Sequence, residues 1–142
     1  MTRLYPYLNF PGCAEEAFNF YRSVFGGEFM SVFRFKDLPM PGLVLPREAE
    51  DKLMHIALPV GGEILMASDG LESMGQKVVS GNSVALSVHP DTKAEADRLF
   101  AALAAGGTVE MPIADQVWGD YYGSLVDRYG IRWMVNFAQP PA

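Results

Sequence analysis

The chain has a single cysteine, Cys13, among its 142 residues. An internal disulfide is therefore impossible, and a thiolate metal cluster is excluded. Long apolar runs are missing as well. None approaches the roughly 18 residues that a membrane span needs. The first residues hold no cationic segment followed by an apolar one, and Pro6 and Pro11 interrupt them. They do not read as a secretory signal. No basic block stands out, and the formal net charge is -6. An acidic surface repels phosphate backbones, so a nucleic-acid partner is a poor match. These absences leave the cytoplasm as the simplest location, with no membrane contact.

What is present suits a packed domain. The composition is 49% hydrophobic and 20% charged. That ratio supports a core and argues against disorder. The length fits one ordinary domain.

The order of elements is legible. Leu4 to Phe10 reads as a strand ending at Pro11-Gly12. Ala14, Ala17, Phe18, Tyr21 and Phe25 recur at helical spacing. Glu15 and Glu16 fall in the first turn of that helix, where they suit its dipole. Gly26-Gly27 predicts its end, in a left-handed cap. Glu28 to Phe35 reads as a strand. Residues 36 to 52 form a long loop with three prolines, of the kind that is often functional. Leu53 to Val60 and Glu63 to Ser68 flank Gly61-Gly62 and predict a hairpin with a two-residue turn. Residues 70–81 read as a linker.

The order then repeats. Ser83 to Val88 reads as a strand. Thr92 and Glu95 form a capping box. Ala96, Leu99, Phe100 and Leu103 make the stripe of a second helix, which ends at Gly106-Gly107. Strands follow at Thr108 to Met111, near Tyr121 to Val126, and at Ile131 to Phe137. Gly62-Glu63-Ile64-Leu65-Met66 echoes Gly130-Ile131-Arg132-Trp133-Met134. The reading is a duplicated βαβββ unit, with module one at 3–69 and module two at 82–138.

Several short motifs, in order, carry a resemblance. They are Tyr7-Leu8-Asn9-Phe10, Glu15-Glu16-Ala17, Phe20-Tyr21, Phe25-Gly26-Gly27-Glu28, Met54-His55, Leu65-Met66-Ala67-Ser68-Asp69, Trp118-Gly119, and Asp127-Arg128-Tyr129-Gly130-Ile131-Arg132-Trp133. Together they resemble the PhnB-like branch of the glyoxalase/bleomycin-resistance/dioxygenase (vicinal oxygen chelate) superfamily. The resemblance implies an α+β fold in which two βαβββ modules form a curved mixed sheet around a pocket, helices on the convex side. It also implies homodimerisation. Members of this branch often carry a methyltransferase label. A Rossmann-type methyltransferase needs a Gly-rich strand-to-helix turn, and Gly26-Gly27 and Gly106-Gly107 both follow helices instead.

Metal-using members place ligands on the first and last strand of each module. By that resemblance the corresponding positions here are Met66, Met134, Ser83 and, within a residue, Tyr5. None offers an imidazole or a carboxylate. No metal and no cofactor is therefore expected.

Alternation along the strands then gives a candidate pocket. Met66 and Ser68 share one face, as do Met134 and Asn136. A two-residue turn sets His55 opposite Ser68 and Ala57 opposite Met66. A three-residue turn would reverse this face. Ser83, Ala85 and Ser87 would floor the pocket, with Val84, Leu86 and Val88 under the helix. Tyr5, Tyr7 and Asn9 would add a wall. Trp118, Tyr121 and Tyr122 cluster beside Gly119 and Gly123.

Blander readings stand beside these. His55 could be a core histidine, a ligand contact or an acid/base group. Trp118 could be core or platform, and the two methionines could be fillers. Asp69 could cap a turn or reach a pocket rim. His89 reads as a solvated turn residue. Cys13, near a helix start, could have a lowered pKa, but with no base nearby it reads as inert. The sequence thus points first to a metal-free protein that binds a small, partly apolar or aromatic ligand. The alternative is a glyoxalase-like lyase or isomerase with a displaced metal or none, in which His55 is the best catalytic candidate. A vestigial pocket in an interaction domain is the third.

Overall fold

The computed structural model describes residues 1–140. They fall into two compact units that divide between Val79 and Ser80. The first unit runs β1 (Tyr7–Phe10), α1 (Ala14–Phe25), β2 (Ser31–Arg34), β3 (Leu53–Val60) and β4 (Glu63–Asp69). The second runs β5 (Leu86–Val88), α2 (Lys93–Ala104), β6 (Thr108–Asp115), β7 (Tyr121–Val126) and β8 (Arg132–Phe137). The sheet orders are β1-β4-β3-β2 and β5-β8-β7-β6, so the topology is the same in both. In each sheet the first strand runs parallel to the last, and the other pairs are antiparallel.

One face of each sheet packs under its helix. In the first unit α1 buries Ala14, Ala17, Phe18, Tyr21 and Val24, and the strands bury Phe10, Ile56, Leu58, Leu65 and Ala67. Val24 takes the deep place at the end of the stripe, while Phe25 stays half-buried. In the second unit α2 buries Ala96, Leu99, Phe100 and Leu103 against Leu125, Trp133 and Val135. Such burial stabilises by roughly 25 cal/mol per Å² of apolar surface removed from water. Burial chooses which face turns inward, but a two-residue slip keeps that face, so turns and polar contacts complete the register.

The turn at Gly61-Gly62 sets the β3–β4 register. Gly61 has φ 59° and Gly62 does not share a positive φ, the pattern of a type II′ hairpin turn. Ala57 consequently pairs with Met66. Gly26 ends α1 with φ 80° and ψ -170°. That is extended backbone with positive φ, not the expected left-handed helical cap, and it is nearly restricted to glycine. A side chain at Gly107 would set its Cβ 2.2 Å from the Val126 carbonyl oxygen, so β6 meets β7 there only as bare backbone.

Two buried carboxylates lock the ends of the strands. Asp69, 3% exposed, accepts from the amides of Gly12 at 3.1 Å, Ala14 at 2.9 Å and Leu53 at 2.9 Å. It thus caps α1 from another strand, a role Cys13 does not fill at the N-cap position. Asp127, also 3% exposed, accepts from the amides of Tyr129 and Ile131 and from Trp133 Nε1. At α2 only half of the capping box forms. Thr92 accepts from the Glu95 amide, while the Glu95 carboxylate turns to Arg98.

The long loop is not structureless. It contains 3₁₀ turns at Phe35–Asp37 and Arg47–Ala49. Arg34 ties it down, donating to both Glu15 oxygens and to the Asp51 carbonyl. The linker holds another 3₁₀ turn, Glu72–Met74. Four strands differ from the sequence reading by three residues or more at one end, among them β2, which spans Ser31–Arg34 rather than Glu28 to Phe35. Tyr5 lies before β1, and Ser83 to Ala85 lie before β5, with Val84 74% exposed rather than under the helix. β6 instead runs past Met111 to Asp115, because register shifts on either side of Met111 absorb Pro112. No helix among the described residues is long and apolar enough to cross a membrane.

Two measurements check this account. Asp69→Ala strands the buried amides of Ala14 and Leu53 and the part-buried amide of Gly12, and is expected to lower unfolding stability by on the order of 3 kcal/mol, read as a shift in urea midpoint with unchanged slope. Hydrogen bonding from Arg34 holds the Glu15 carboxyl below its usual range. A depressed folded-state pKa contributes stability above the unfolded value, and that contribution is lost as pH falls. Urea midpoints of wild type and Glu15→Gln should therefore differ at pH 7 and converge near pH 3.

Candidate functional site

Each sheet leaves one face away from its helix. In the first unit the β1–β4 pairing sets Tyr7 beside Met66 and Asn9 beside Ser68. The β3–β4 register continues to set His55 across from Ser68. Leu65, Ala67 and Asp69 are buried, while Met66 and Ser68 are half-buried, so the latter pair occupies the open face. β2 adds a residue that the sequence reading did not include. Phe33 is the cross-strand partner of His55, and their rings stack at 6.4 Å and 29°.

His55 therefore stands between two aromatic rings. The Tyr7 ring lies 5.9 Å away on its other flank, and the Tyr7 hydroxyl is 3.3 Å from His55 Nδ1. His55 is half-buried, while Tyr7 and Phe33 are 45% and 41% exposed. The result is an accessible aromatic surface with an imidazole at its centre. The Ser68 hydroxyl reaches Asn9 Oδ1 at 3.5 Å. Tyr5, by contrast, takes a weak contact from Arg3 at 3.4 Å.

In the second unit β7 pairs Tyr122 with Asn136, Ser124 with Met134 and Val126 with Arg132. β5 places Ser87 beside Met134. Met134 thus holds the position in the second sheet that Met66 holds in the first. A pocket of about 210 Å³ opens here. Ser83, Tyr122 and Met134, all read from sequence, line it. Glu110, Ser124 and Arg132 line it too, and these were not foreseen. Arg132 Nη2 stands 2.6 Å from Glu110 Oε1. Drug-sized sites run to roughly 300–1,000 Å³, so this pocket suits a fragment-sized group.

Trp118 and Asn136 sit beside this pocket. Trp118 is 59% exposed and meets Tyr122 edge-on at 6.0 Å. It is a surface side chain, not core. Asn136 donates to Asp120 at 3.1 Å. Tyr121 leaves the expected cluster altogether. Its hydroxyl binds Asp97 of α2, and Lys93 lies over its ring. Alternation along β7 puts it on the helix side.

The remaining candidates resolve into structural roles. Asp69 caps α1 from within the core. His89 contacts the Ser87 hydroxyl at 2.9 Å on the surface. Burial, then the neighbouring Asp69 and Glu16 carboxylates, raise the Cys13 pKa. The direction is opposite to that of a reactive thiolate.

The donor set does not fit a divalent ion. Beside Met66 stands Tyr7 and beside Met134 stands Ser87. Thioethers are too soft for Mg, Mn or Ca, and a lone hydroxyl is a poor ligand. Among the described residues no group of three His, Cys, Asp or Glu side chains converges.

Comparison with known proteins agrees with the topology. The family model described as 3-demethylubiquinone-9 3-methyltransferase matches residues 2–136. The crystal structure of protein PA1353 from Pseudomonas aeruginosa is 38% identical, with a TM-score of 0.86 over 99% of this chain and 100% of that one. The PhnB protein from Bacillus cereus is 30% identical, with a TM-score of 0.77 over 96% and 100%. A glyoxalase/bleomycin resistance protein/dioxygenase family enzyme from Burkholderia phytofirmans is 22% identical, with a TM-score of 0.57 over 94% and 97%, a likeness of fold alone. With the two βαβββ units and the matched family model, the chain belongs to the PhnB-like 3-demethylubiquinone-9 3-methyltransferase family and carries the glyoxalase/bleomycin-resistance fold.

Proposed function

We propose that this protein binds a small, partly apolar or aromatic molecule on the open sheet faces without the help of a metal ion. One observation carries the reading. Met66 and Met134 occupy the same last-strand position in the two units, where a metal-using relative needs a hard donor. Methionine instead offers a polarisable surface that adapts to varied shapes. Around it stand aromatic rings and single polar groups, the composition of small-molecule sites. The methyltransferase part of the family description finds no support in the residues. Gly26-Gly27 and Gly106-Gly107 follow helices and Gly61-Gly62 joins two strands, so no glycine-rich strand-to-helix turn is present among the described residues. In this reading the protein works in the cytoplasm as a homodimer. Its charge of -6 suits neither nucleic acid nor an anionic membrane.

A second reading is favoured by one contact. The Tyr7 hydroxyl lies 3.3 Å from His55 Nδ1 and orients the half-buried imidazole. That geometry suits proton transfer. In such an enzyme His55 is the acid/base group and Tyr7 its positioning partner.

Three outcomes test these readings. Native mass spectrometry of protein purified without chelator should show an organic adduct or an empty chain, and no stoichiometric divalent ion. Dialysis against EDTA should leave the thermal midpoint unchanged; a drop of several degrees restored by Zn or Mn would overturn the metal-free reading. For the enzymatic reading, His55→Ala should lower turnover of any substrate found by screening by about 10²-fold or more. Unchanged turnover removes His55 from the chemistry.

A further inference from the structure

The pocket of the second unit contains a charge pair that the binding reading leaves unexplained. Glu110 and Arg132 stand 2.6 Å apart among otherwise neutral groups. Their mounting differs. Arg132 begins β8, an inner strand held between β5 and β7. Its side chain is 28% exposed. Glu110 lies on β6, the edge strand, and its side chain is 36% exposed. Register matches Val109 to Leu125 and Met111 to Ser124. Glu110 is thus the extra residue of a bulge. Bulges interrupt a ladder and re-aim a side chain, and they recur beside binding sites.

The pair is also incomplete. A guanidinium has five N–H donors and is best matched by a carboxylate that takes two in parallel. Glu15 meets Arg34 in that way, at 3.0 and 2.6 Å through Nη1 and Nη2. Glu110 meets Arg132 at Nη2. The other cations of this unit are engaged on its surface. Lys93 pairs with Asp115, Arg98 with Glu95, and Arg128 donates to the Ala105 carbonyl. Arg132 is the cation that lines the pocket.

We propose that this pocket takes a small organic carboxylate, bound by Arg132 through the guanidinium edge that Glu110 leaves open. This rests on the small-molecule reading and names the class of ligand. The Ser83, Ser124 and Tyr122 hydroxyls complement the anion, and Met134 and Val84 cover its apolar part. Glu110 keeps Arg132 neutralised and oriented while the pocket is empty. When the ligand enters, Glu110 swings outward from the edge strand into water. Arg132 stays, because its strand is flanked on both sides.

The test uses benzoate, benzamide and benzamidine, of one shape and three charges. The methionine methyl resonances are followed by NMR, with Met134 assigned by Met134→Leu. Benzoate should shift the Met134 methyl and bind about tenfold or more tighter than benzamide, as hydrogen bonds to a charged partner imply. Arg132→Gln should remove that preference and Arg132→Lys should keep part of it. Glu110→Gln should tighten benzoate severalfold, because a competing carboxylate is gone. This variant leaves β8 untouched, so the prediction survives any folding defect in Arg132→Gln. Equal binding of benzoate and benzamide overturns the carboxylate and leaves small-molecule binding standing. Tighter benzamidine binding makes Glu110 the reader and overturns it as well. A silent Met134 with all three probes overturns it for this pocket, while the native mass experiment separately decides the broader reading.

Discussion

Strand parity is the constraint on which the rest of this molecule depends. Successive side chains on a strand point to opposite faces, so a one-residue slip exchanges an entire face for the other. Here the parity of β3 and β4 is set by the two-residue turn at Gly61-Gly62, whose first glycine takes φ 59°. Every consequence in the first unit follows from it. Ile56, Leu58, Leu65 and Ala67 go under α1. His55 goes to the open face with Tyr7 and Phe33. Hydrophobic burial selects the inward face but not between slips of two residues, which keep that face. The buried Asp69 adds direction by joining three amides from three segments.

The same alternation divides each family motif into two kinds of residue. In Leu65-Met66-Ala67-Ser68-Asp69, the odd positions are buried and the even ones face out. In the run from Asp127 to Trp133, Asp127 and Trp133 bind one another in the core. Arg128 reaches back to the end of α2. Arg132 and Trp133 line the pocket, and Arg132 brings it a charge. A motif quoted as a unit therefore mixes fold-forming residues with site residues. The candidate ligand chemistry comes from the second group.

The residues beside Met66 and Met134, Tyr7 and Ser87, set what the open faces offer. A metal site concentrates charge and would activate an oxygen directly. Methionines, rings and hydroxyls instead recognise shape and hold a few polar atoms. The one strong electrostatic feature of the pocket, Glu110 against Arg132, arises where a bulge interrupts β6.

The repeated cadence of helix, glycine pair and strands was readable because period and turn chemistry are local. So were both helices, the hairpin register, and the shared faces of Met66 with Ser68 and Met134 with Asn136. Arg132 was readable in principle, since it lies two residues before Met134 on the same strand. Phe33 was not, because a long loop separates β2 from β3 and hides their register. Glu110 was not, because a bulge has no fixed sequence mark and breaks the alternation used to assign faces. Tyr121 also escaped, since adjacent aromatics look alike until a strand sends one to Asp97 and the other to the pocket. Sequence alone determined which segments become strands and helices, through spacing, caps and glycines. Tertiary structure decided which distant side chains meet, because cross-strand register between non-consecutive segments depends on the whole sheet.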